Sequence, residues 1–239
     1  MFDQKIKTNS EQSLTAGLYI VSTPIGNLAD ITLRALQVLQ NVDLIACEDT
    51  RHTGILLNHY HIKNKLTSYH EYNKKERTPE LIKFVQTGQS IALVTDAGTP
   101  GISDPGFYLI REAIKNNLPV IPIPGPSALL SALVISGLPS DRFVFEGFLP
   151  KRDGRKRKKL EELKQESRTM IFYDSPYRTL SSLQDINEIL GDRSMVLVRE
   201  LTKKFETVMR GKVSEIIRAI TDKKLKGEIV IVIQGASTE

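Results

Sequence analysis

Thr95-Asp96-Ala97-Gly98-Thr99-Pro100-Gly101-Ile102-Ser103-Asp104-Pro105-Gly106 is the stretch on which the reading of this 239-residue chain turns. It follows Ile91-Ala92-Leu93-Val94, an apolar and β-branched run that reads as a buried strand. A helical segment, Phe107 to Asn117, comes after it. Three glycines and two prolines are more than a strand-to-helix connection needs, since a few residues suffice. Glycine permits close backbone approach and positive φ, while proline fixes φ and removes a donor. At the carboxyl end of a strand in an open α/β sheet, such a loop stands where ligands bind. The plainer alternative is a rigid surface loop.

Working outward, strands and helices alternate. Leu18–Val21 is a strand, and Asp30 to Gln40 is an amphipathic helix with Asp30 as its candidate cap. Asp43–Cys47 is the next strand and Pro79 to Gln86 the next clear helix. After the glycine/proline loop come a strand at Pro119–Ile123, the turn Pro124-Gly125-Pro126-Ser127 and an apolar helix from Ala128 to Ser136. Repeated βα units predict a mostly parallel sheet with helices on both faces. Near Arg142 the pattern changes. Strands are expected at Phe143–Leu149, Thr169–Tyr173, Met195–Leu201, Glu206–Gly211 and Glu228–Ile233, with helices at 155–166, 177–190 and 213–223. Met195–Leu201 and Glu206–Gly211 lie too close for a helical crossover, which predicts an antiparallel hairpin. The fold class is therefore α/β in two domains, 17–141 mostly parallel and 142–239 mixed, after a disordered tail at 1–16.

Composition is that of an ordinary water-soluble domain, 40% hydrophobic and 26% charged. The uncharged run Val120 to Pro139 is broken by Pro122, Pro124 and Pro126, so no membrane span is expected. Cys47 is the one cysteine, which excludes an internal disulfide or a cysteine metal cluster and points to a reducing, cytoplasmic setting. Histidines 52, 59, 61 and 70 match no metal-ligand spacing, so no metal is expected. The net charge of +5 is unevenly placed. Residues 1–142 carry 13 Lys/Arg against 13 Asp/Glu, and 143–239 carry 20 against 15. Lys151, Arg152, Arg155, Lys156, Arg157, Lys158 and Lys159 crowd together, opposed by Asp153 alone. Such blocks contact nucleic acid or anionic surfaces, or simply form a solvated helix start.

The remaining loops narrow the chemistry. Val21-Ser22-Thr23-Pro24-Ile25-Gly26-Asn27-Leu28 has one glycine where a G-x-G-x-x-G nucleotide fingerprint would want two or three, and no P-loop occurs. Ala46-Cys47-Glu48-Asp49-Thr50-Arg51-His52 sets two carboxylates and an arginine at a strand end, where they could bind ribose, orient a base or pair with one another. Ser68-Tyr69-His70-Glu71-Tyr72-Asn73, with Lys74, Lys75 and Arg77 behind it, mixes aromatic, amide and basic groups suited to stacking on bases and gripping phosphates.

Five motifs stand in one order: Thr23–Leu28, Cys47–Arg51, Asp96–Gly106, Pro124–Ala128 and Phe172-Tyr173-Asp174-Ser175-Pro176-Tyr177-Arg178. Together, from about Gly17 to Gly235, they make the chain resemble the ribosomal RNA small-subunit methyltransferase I family, a tetrapyrrole methylase-like (class III) branch of the S-adenosylmethionine-dependent enzymes. The resemblance implies 2′-O-methylation of a cytidine in the decoding region of 16S rRNA, a small-ribosomal-subunit partner and a homodimer. It implies S-adenosylmethionine held in a cleft between the two domains. Pro24, Asp96, Gly98, Thr99, Pro100 and Ile102 would contact it from one side, and Ser127 and Ala128 at a helix amino terminus. Tyr173, Leu201, Gly227, Glu228 and Ile229 would contact it from the second domain. Thr99-Pro100 replaces the Asp-Pro usual in tetrapyrrole methylases, which favours RNA over a tetrapyrrole as substrate.

A ribose hydroxyl needs a proton acceptor before it attacks a methyl group. Glu48, Asp49, His70 and Glu71 are the candidates, Glu48 and Asp49 preferred because they sit at a strand end. Arg51, Lys151, Arg152, Arg155, Lys156 and Arg157 are the candidate RNA-binding residues. Two other classes remain open on the residues alone. One is a small-molecule methylase acting on a tetrapyrrole; the other is a non-catalytic RNA-binding or ribosome-assembly protein.

Overall fold

The structure, a computed structural model, describes residues 14–236. Residues 1–13 of the expected tail lie outside the described residues, as do 237–239. Within 14–16, Leu14 packs against the core, and the Thr15 carbonyl accepts a hydrogen bond from the Tyr19 hydroxyl at 2.9 Å. The chain forms two compact units, one through Pro126 and one from Ser127. The boundary thus falls before the apolar helix, rather than near Arg142.

In the first unit the order is β1 (Gly17–Val21), α1 (Leu33–Asn41), β2 (Leu44–Cys47), α2 (Thr50–His59), β3 (Leu66–Ser68), α3 (Lys74–Gln86), β4 (Ser90–Val94), α4 (Gly106–Lys115) and β5 (Val120–Ile123). The strands pair in the order β3-β2-β4-β1-β5, every pair parallel. Alternation along the strands decides which helices cover which face. Tyr19, Val21, Ile45, Cys47, Ala92 and Val94 pack under α1 and α2, whereas Leu18, Ile20, Ala46, Ile91 and Leu93 pack under α3 and α4. Burial of both faces explains why these strands read as continuous apolar runs.

Three details depart from the sequence expectations. Thr32, not Asp30, caps α1, its hydroxyl accepting from the Ala35 amide at 3.1 Å, while Asp30 ends a short 3₁₀ turn. Helix α3 starts at Lys74, so Pro79 sits inside it instead of opening it. Helix α2 has no counterpart among the expected elements. Its sequence, Thr50 to His59, contains Gly54, His52, Asn58 and His59, all poor helix formers, and only Thr53, Leu56 and Leu57 reach the core.

The second unit contains α5 (Ala128–Ser136), β6 (Phe143–Phe148), α6 (Asp153–Glu162), β7 (Thr169–Asp174), α7 (Thr179–Leu190), β8 (Ser194–Arg199), β9 (Thr207–Lys212), α8 (Val213–Ile220) and β10 (Ile229–Ile233). Its sheet runs β6-β7-β10-β8-β9, with β6 and β7 parallel and the other neighbours antiparallel. The β8–β9 hairpin is the one the short spacing predicts. One face carries Met170, Phe172, Met195, Leu197, Ile229, Ile231 and Ile233 against α6, α7 and α8. Helix α5 lies against β7, β8 and β10 and ends at Gly137, whose φ of +74° is the left-handed stop that glycine allows.

Candidate functional site

Because every strand of the first sheet runs the same way, the loops after all five leave from one edge, where open α/β sheets bind ligands. Three of these loops are tied to one another. The Thr23 amide donates to the Gly98 carbonyl at 2.9 Å and the Gly98 amide returns a bond to Thr23 at 3.0 Å. The Thr23 hydroxyl donates to the Thr95 carbonyl at 3.0 Å. Thr99 completes the knot, its hydroxyl lying 2.9 Å from the Ser22 hydroxyl and donating to the Pro126 carbonyl at 3.3 Å. The glycines make this closeness possible. Gly98 takes a φ of +85°, and a Cβ on Gly125 would stand 3.0 Å from that of Ser22. Pro24, Asp96, Gly98, Thr99, Pro100 and Ile102 all belong to this loop set. Pro24 and Asp96 line one hollow with Thr23, His52 and Thr95. Pro100 lines a second with Glu48, Tyr69, Thr95 and Asp104.

The two carboxylates of the Glu48-Asp49 pair part company. Asp49 is the N-cap of α2, accepting from the Arg51 amide at 2.8 Å, and it grips the Arg51 guanidinium at 2.7 Å. Those Arg51 bonds hold its carboxyl far below the usual carboxylate range. Glu48 instead faces the hollow, its Oε2 accepting from the Thr95 hydroxyl at 3.1 Å. Burial, reinforced by the nearby Asp96 and Asp104 carboxylates, pushes its pKa up. Asp104 is raised as well, by its own burial. That carboxylate folds the loop, accepting from the amides of Gly101 at 2.8 Å and Gly106 at 2.7 Å. Ser22, Thr95 and Asp104 hydrogen-bond to Thr99, Glu48 and the loop amides, and the sequence reading named none of them as site residues. Their signal was adjacency to the named motifs, without spacing that assigns them a role.

His70 is fixed through its backbone, whose amide donates to the Asn73 side chain at 2.8 Å, and its ring stands edge-on to Tyr72. Among the described residues no hydrogen bond joins it to Glu48 or Asp49. Glu71 is engaged by Lys74 at 2.6 Å. Neither therefore shares the position of Glu48.

In the second unit, Ser127 caps α5 by backbone alone, with no side-chain hydrogen bond to the helix, which leaves the amino terminus suited to a carboxylate. The Tyr173 hydroxyl lies against the Leu129 amide at that same terminus, and burial raises its pKa. Tyr173 pairs with Val230, and Asp174 with Ile229, so the end of β7 adjoins the start of β10. Gly227 and Glu228 precede β10, and the Glu200 amide, just before Leu201, donates to the Glu228 carbonyl at 2.9 Å. Lys203 joins both carboxylates, at 3.0 Å to Glu200 and 2.9 Å to Glu228. Ser127, Ala128, Tyr173, Leu201, Gly227 and Glu228 thus gather at one end of this sheet.

The basic stretch is divided by the helix period. Lys156 is buried, bonded to Asp185 at 2.7 Å and Asp153 at 3.2 Å. Arg157 pairs with Asp185 and Glu188, and Lys159 with Glu146 at 2.6 Å. Lys156, expected to bind RNA, is instead buried and spent on fastening α6 to α7, whereas Arg157 pairs across the same helices but keeps 40% of its side chain exposed. Lys151, Arg152, Arg155 and Lys158 are exposed and carry no ion pair among the described residues.

The fold and these loops define a class, that of the Tetrapyrrole (Corrin/Porphyrin) Methylases, whose family profile matches residues 17–217. Solved structures of similar fold include uroporphyrin-III C-methyl transferase from Thermus thermophilus complexed with S-adenyl homocysteine (TM-score 0.63, 16% identity, 91% of this chain and 97% of that one). Diphthine synthase is another (TM-score 0.69, 13% identity, 93% and 91%). Among curated relatives, the ribosomal RNA small subunit methyltransferase I of Synechocystis sp. is 52% identical over 93% of this chain and 80% of that protein. The protein of the same name from Thermotoga maritima is 50% identical over 91% of this chain and 98% of its own length. The chain belongs to this methylase family, in its ribosomal RNA small subunit methyltransferase I branch.

Proposed function

We propose that the protein methylates the ribose 2′-oxygen of a cytidine in the decoding region of small-subunit ribosomal RNA. The family makes it an S-adenosylmethionine-dependent rRNA methyltransferase; the ribose, the cytidine and the region are the finer part of the reading. The observation that carries it is the knot at Thr99, which holds three glycine- and proline-bearing loops together on the sheet edge beside Glu48.

In the first unit taken by itself, Gly98 at positive φ and Gly125 at close approach keep the loop backbones free of side chains, which suits close approach of the donor. In the second taken by itself, the α5 terminus offers amides suited to a carboxylate. Tyr173 offers a half-buried aromatic surface suited to a nucleoside, while Leu201 is itself buried. When bound, the donor supplies a methyl group on a sulfonium already activated for transfer, so the protein need not provide a metal. Glu48 takes the ribose proton. Its raised pKa brings it nearer to neutrality, which is what a general base requires. Thr95 orients it, and Asp49, held by Arg51, stays out of proton transfer. The Arg51 side chain is 90% exposed and can reach a phosphate while keeping its bond to Asp49. The expected homodimer and cytoplasmic setting belong to the same reading, and sedimentation of the purified protein tests the former.

The test is transfer from methyl-labelled S-adenosylmethionine to small ribosomal subunits that lack the modification, followed by nuclease mapping. Label on one cytidine ribose is expected. Label on a base, or no transfer, would overturn the reading.

A further inference from the structure

The motif Phe172–Arg178 is only half explained by a donor contact at Tyr173. Its second half is a tight turn, Ser175-Pro176-Tyr177-Arg178, closed by the Arg178 amide donating to the Ser175 carbonyl at 3.0 Å. Pro176 occupies the position where a fixed φ favours such a turn. The Thr179 hydroxyl, on a fully buried residue, donates to the same carbonyl at 2.9 Å. Underneath, Arg178 Nε meets Asp174 Oδ1 at 2.7 Å, the aspartate side chain being 0% exposed. A buried ion pair adds little net stability, so holding a particular conformation is its better-attested use. What this clamped turn holds out is Tyr177, 92% exposed.

The neighbouring strand repeats the pattern. Phe148 lies opposite Tyr173 in the β6–β7 register, with its ring 5.5 Å from that of Tyr173, yet it stays 56% exposed. Because β6 and β7 are parallel, Phe148 and the Tyr177 turn leave from the same edge of the sheet. Three residues beyond Phe148 begin the cations that the fold leaves unpaired among the described residues, Lys151, Arg152 and Arg155. The one acid within that run, Asp153, is engaged by Lys156. Exposed aromatic faces beside unopposed cations are what single-stranded nucleic acid requires: rings for bases that have left their stack, charges for the phosphates between them.

We infer that Tyr177 and Phe148 form a stacking platform for unpaired nucleotides of the RNA substrate, with Lys151, Arg152 and Arg155 holding the adjoining phosphates. This rests on the rRNA reading above and adds that the RNA is engaged as a single strand through its base faces.

Fluorescence anisotropy with a labelled single-stranded oligoribonucleotide, and with its duplex, tests it on the full-length protein. Tyr177→Ala should weaken single-strand binding about ten-fold, the scale of one lost base stack. Duplex binding, the salt slope and calorimetric affinity for S-adenosylmethionine should stay as in the parent, and Tyr177→Trp should retain single-strand binding. A Lys151→Ala/Arg152→Ala/Arg155→Ala variant should instead flatten the salt dependence. Parent-like single-strand binding by both Tyr177→Ala and Phe148→Ala would overturn the platform, whether or not the parent methylates small subunits. A parent that methylates no subunit RNA, yet binds single strands in a Tyr177-dependent way, would sink the rRNA reading and leave the platform standing.

Discussion

Two charged stretches, Glu48–Arg51 in the first unit and Lys151–Lys159 in the second, look alike in sequence as candidate functional clusters, and the fold divides each of them by a different rule. At Glu48-Asp49 the division is made by a helix start. Asp49 falls on the N-cap of α2 and is consumed by amides and by Arg51, while Glu48, one residue earlier, still belongs to the strand end and faces the hollow under the loops. Along Lys151–Lys159 it is made by helix period, which turns Lys156 inward to Asp185 and leaves Arg155 and Lys158 outside. The lesson is that like charges in a run are not a shared resource. Local geometry assigns each to structure or to chemistry, and adjacent residues can receive opposite assignments.

The sharpest way to break this comparison is at the acid pair. Glu48→Gln should lower single-turnover methyl transfer by about 10²–10⁴-fold, the range of general-base catalysis, without changing RNA or donor affinity. Asp49→Asn should leave the rate within a few-fold of the parent, and equal losses in the two variants would erase the distinction. The pH profile sharpens it. Glu48 must be ionised to take a proton, so the rate should fall as pH drops through its raised pKa, in a window above the ordinary glutamate value. That acid limb should vanish in Glu48→Gln. The same shift works against folding. A carboxyl whose pKa rises on folding loses its stabilising contribution as pH increases through that value. Glu48→Gln should therefore raise the thermal midpoint at pH 7 relative to the parent, but not at pH 4.

Next in size is the basic stretch. Asp185→Asn strips the buried Lys156 of its closest partner and should cost about 3 kcal/mol in urea unfolding. Lys158→Ala, on the solvent side, should stay within about 0.5 kcal/mol of the parent. Neutralising Lys151, Arg152 and Arg155 together should reduce the slope of log affinity against log salt by about 2, since each single-strand phosphate contact contributes about 0.7. At the cap, Asp49→Ala should destabilise the chain in urea unfolding through loss of the Arg51 amide bond, less than Asp185→Asn and more than Lys158→Ala.

Much of the scaffold was legible because apolar period carries it. β4, α5 and the β8–β9 hairpin follow directly from run length, the glycine/proline turns and the short hairpin spacing. Helix α2 was not, because its weak formers mask a three-residue core stripe, and without α2 nothing in the sequence marks Asp49 as a cap. The loops that hold Pro24, Gly98 and Thr99 could be named from their motifs, yet the bonds from Thr99 to Ser22 and Pro126 join residues far apart in the chain. No local pattern encodes such a tie. The same holds for Lys156 and Asp185, where composition showed the charge and only the packing of α6 on α7 showed its partner.

The central claim, that the loops tied by Thr99 hold the methyl donor, is tested most directly by calorimetric titration of S-adenosylhomocysteine into the parent and into Thr99→Val. One binding event per chain is predicted for the parent. For the variant, at least ten-fold weaker binding is predicted, with folding intact by circular dichroism. Parent affinity in Thr99→Val, or no binding by the parent at all, would contradict it.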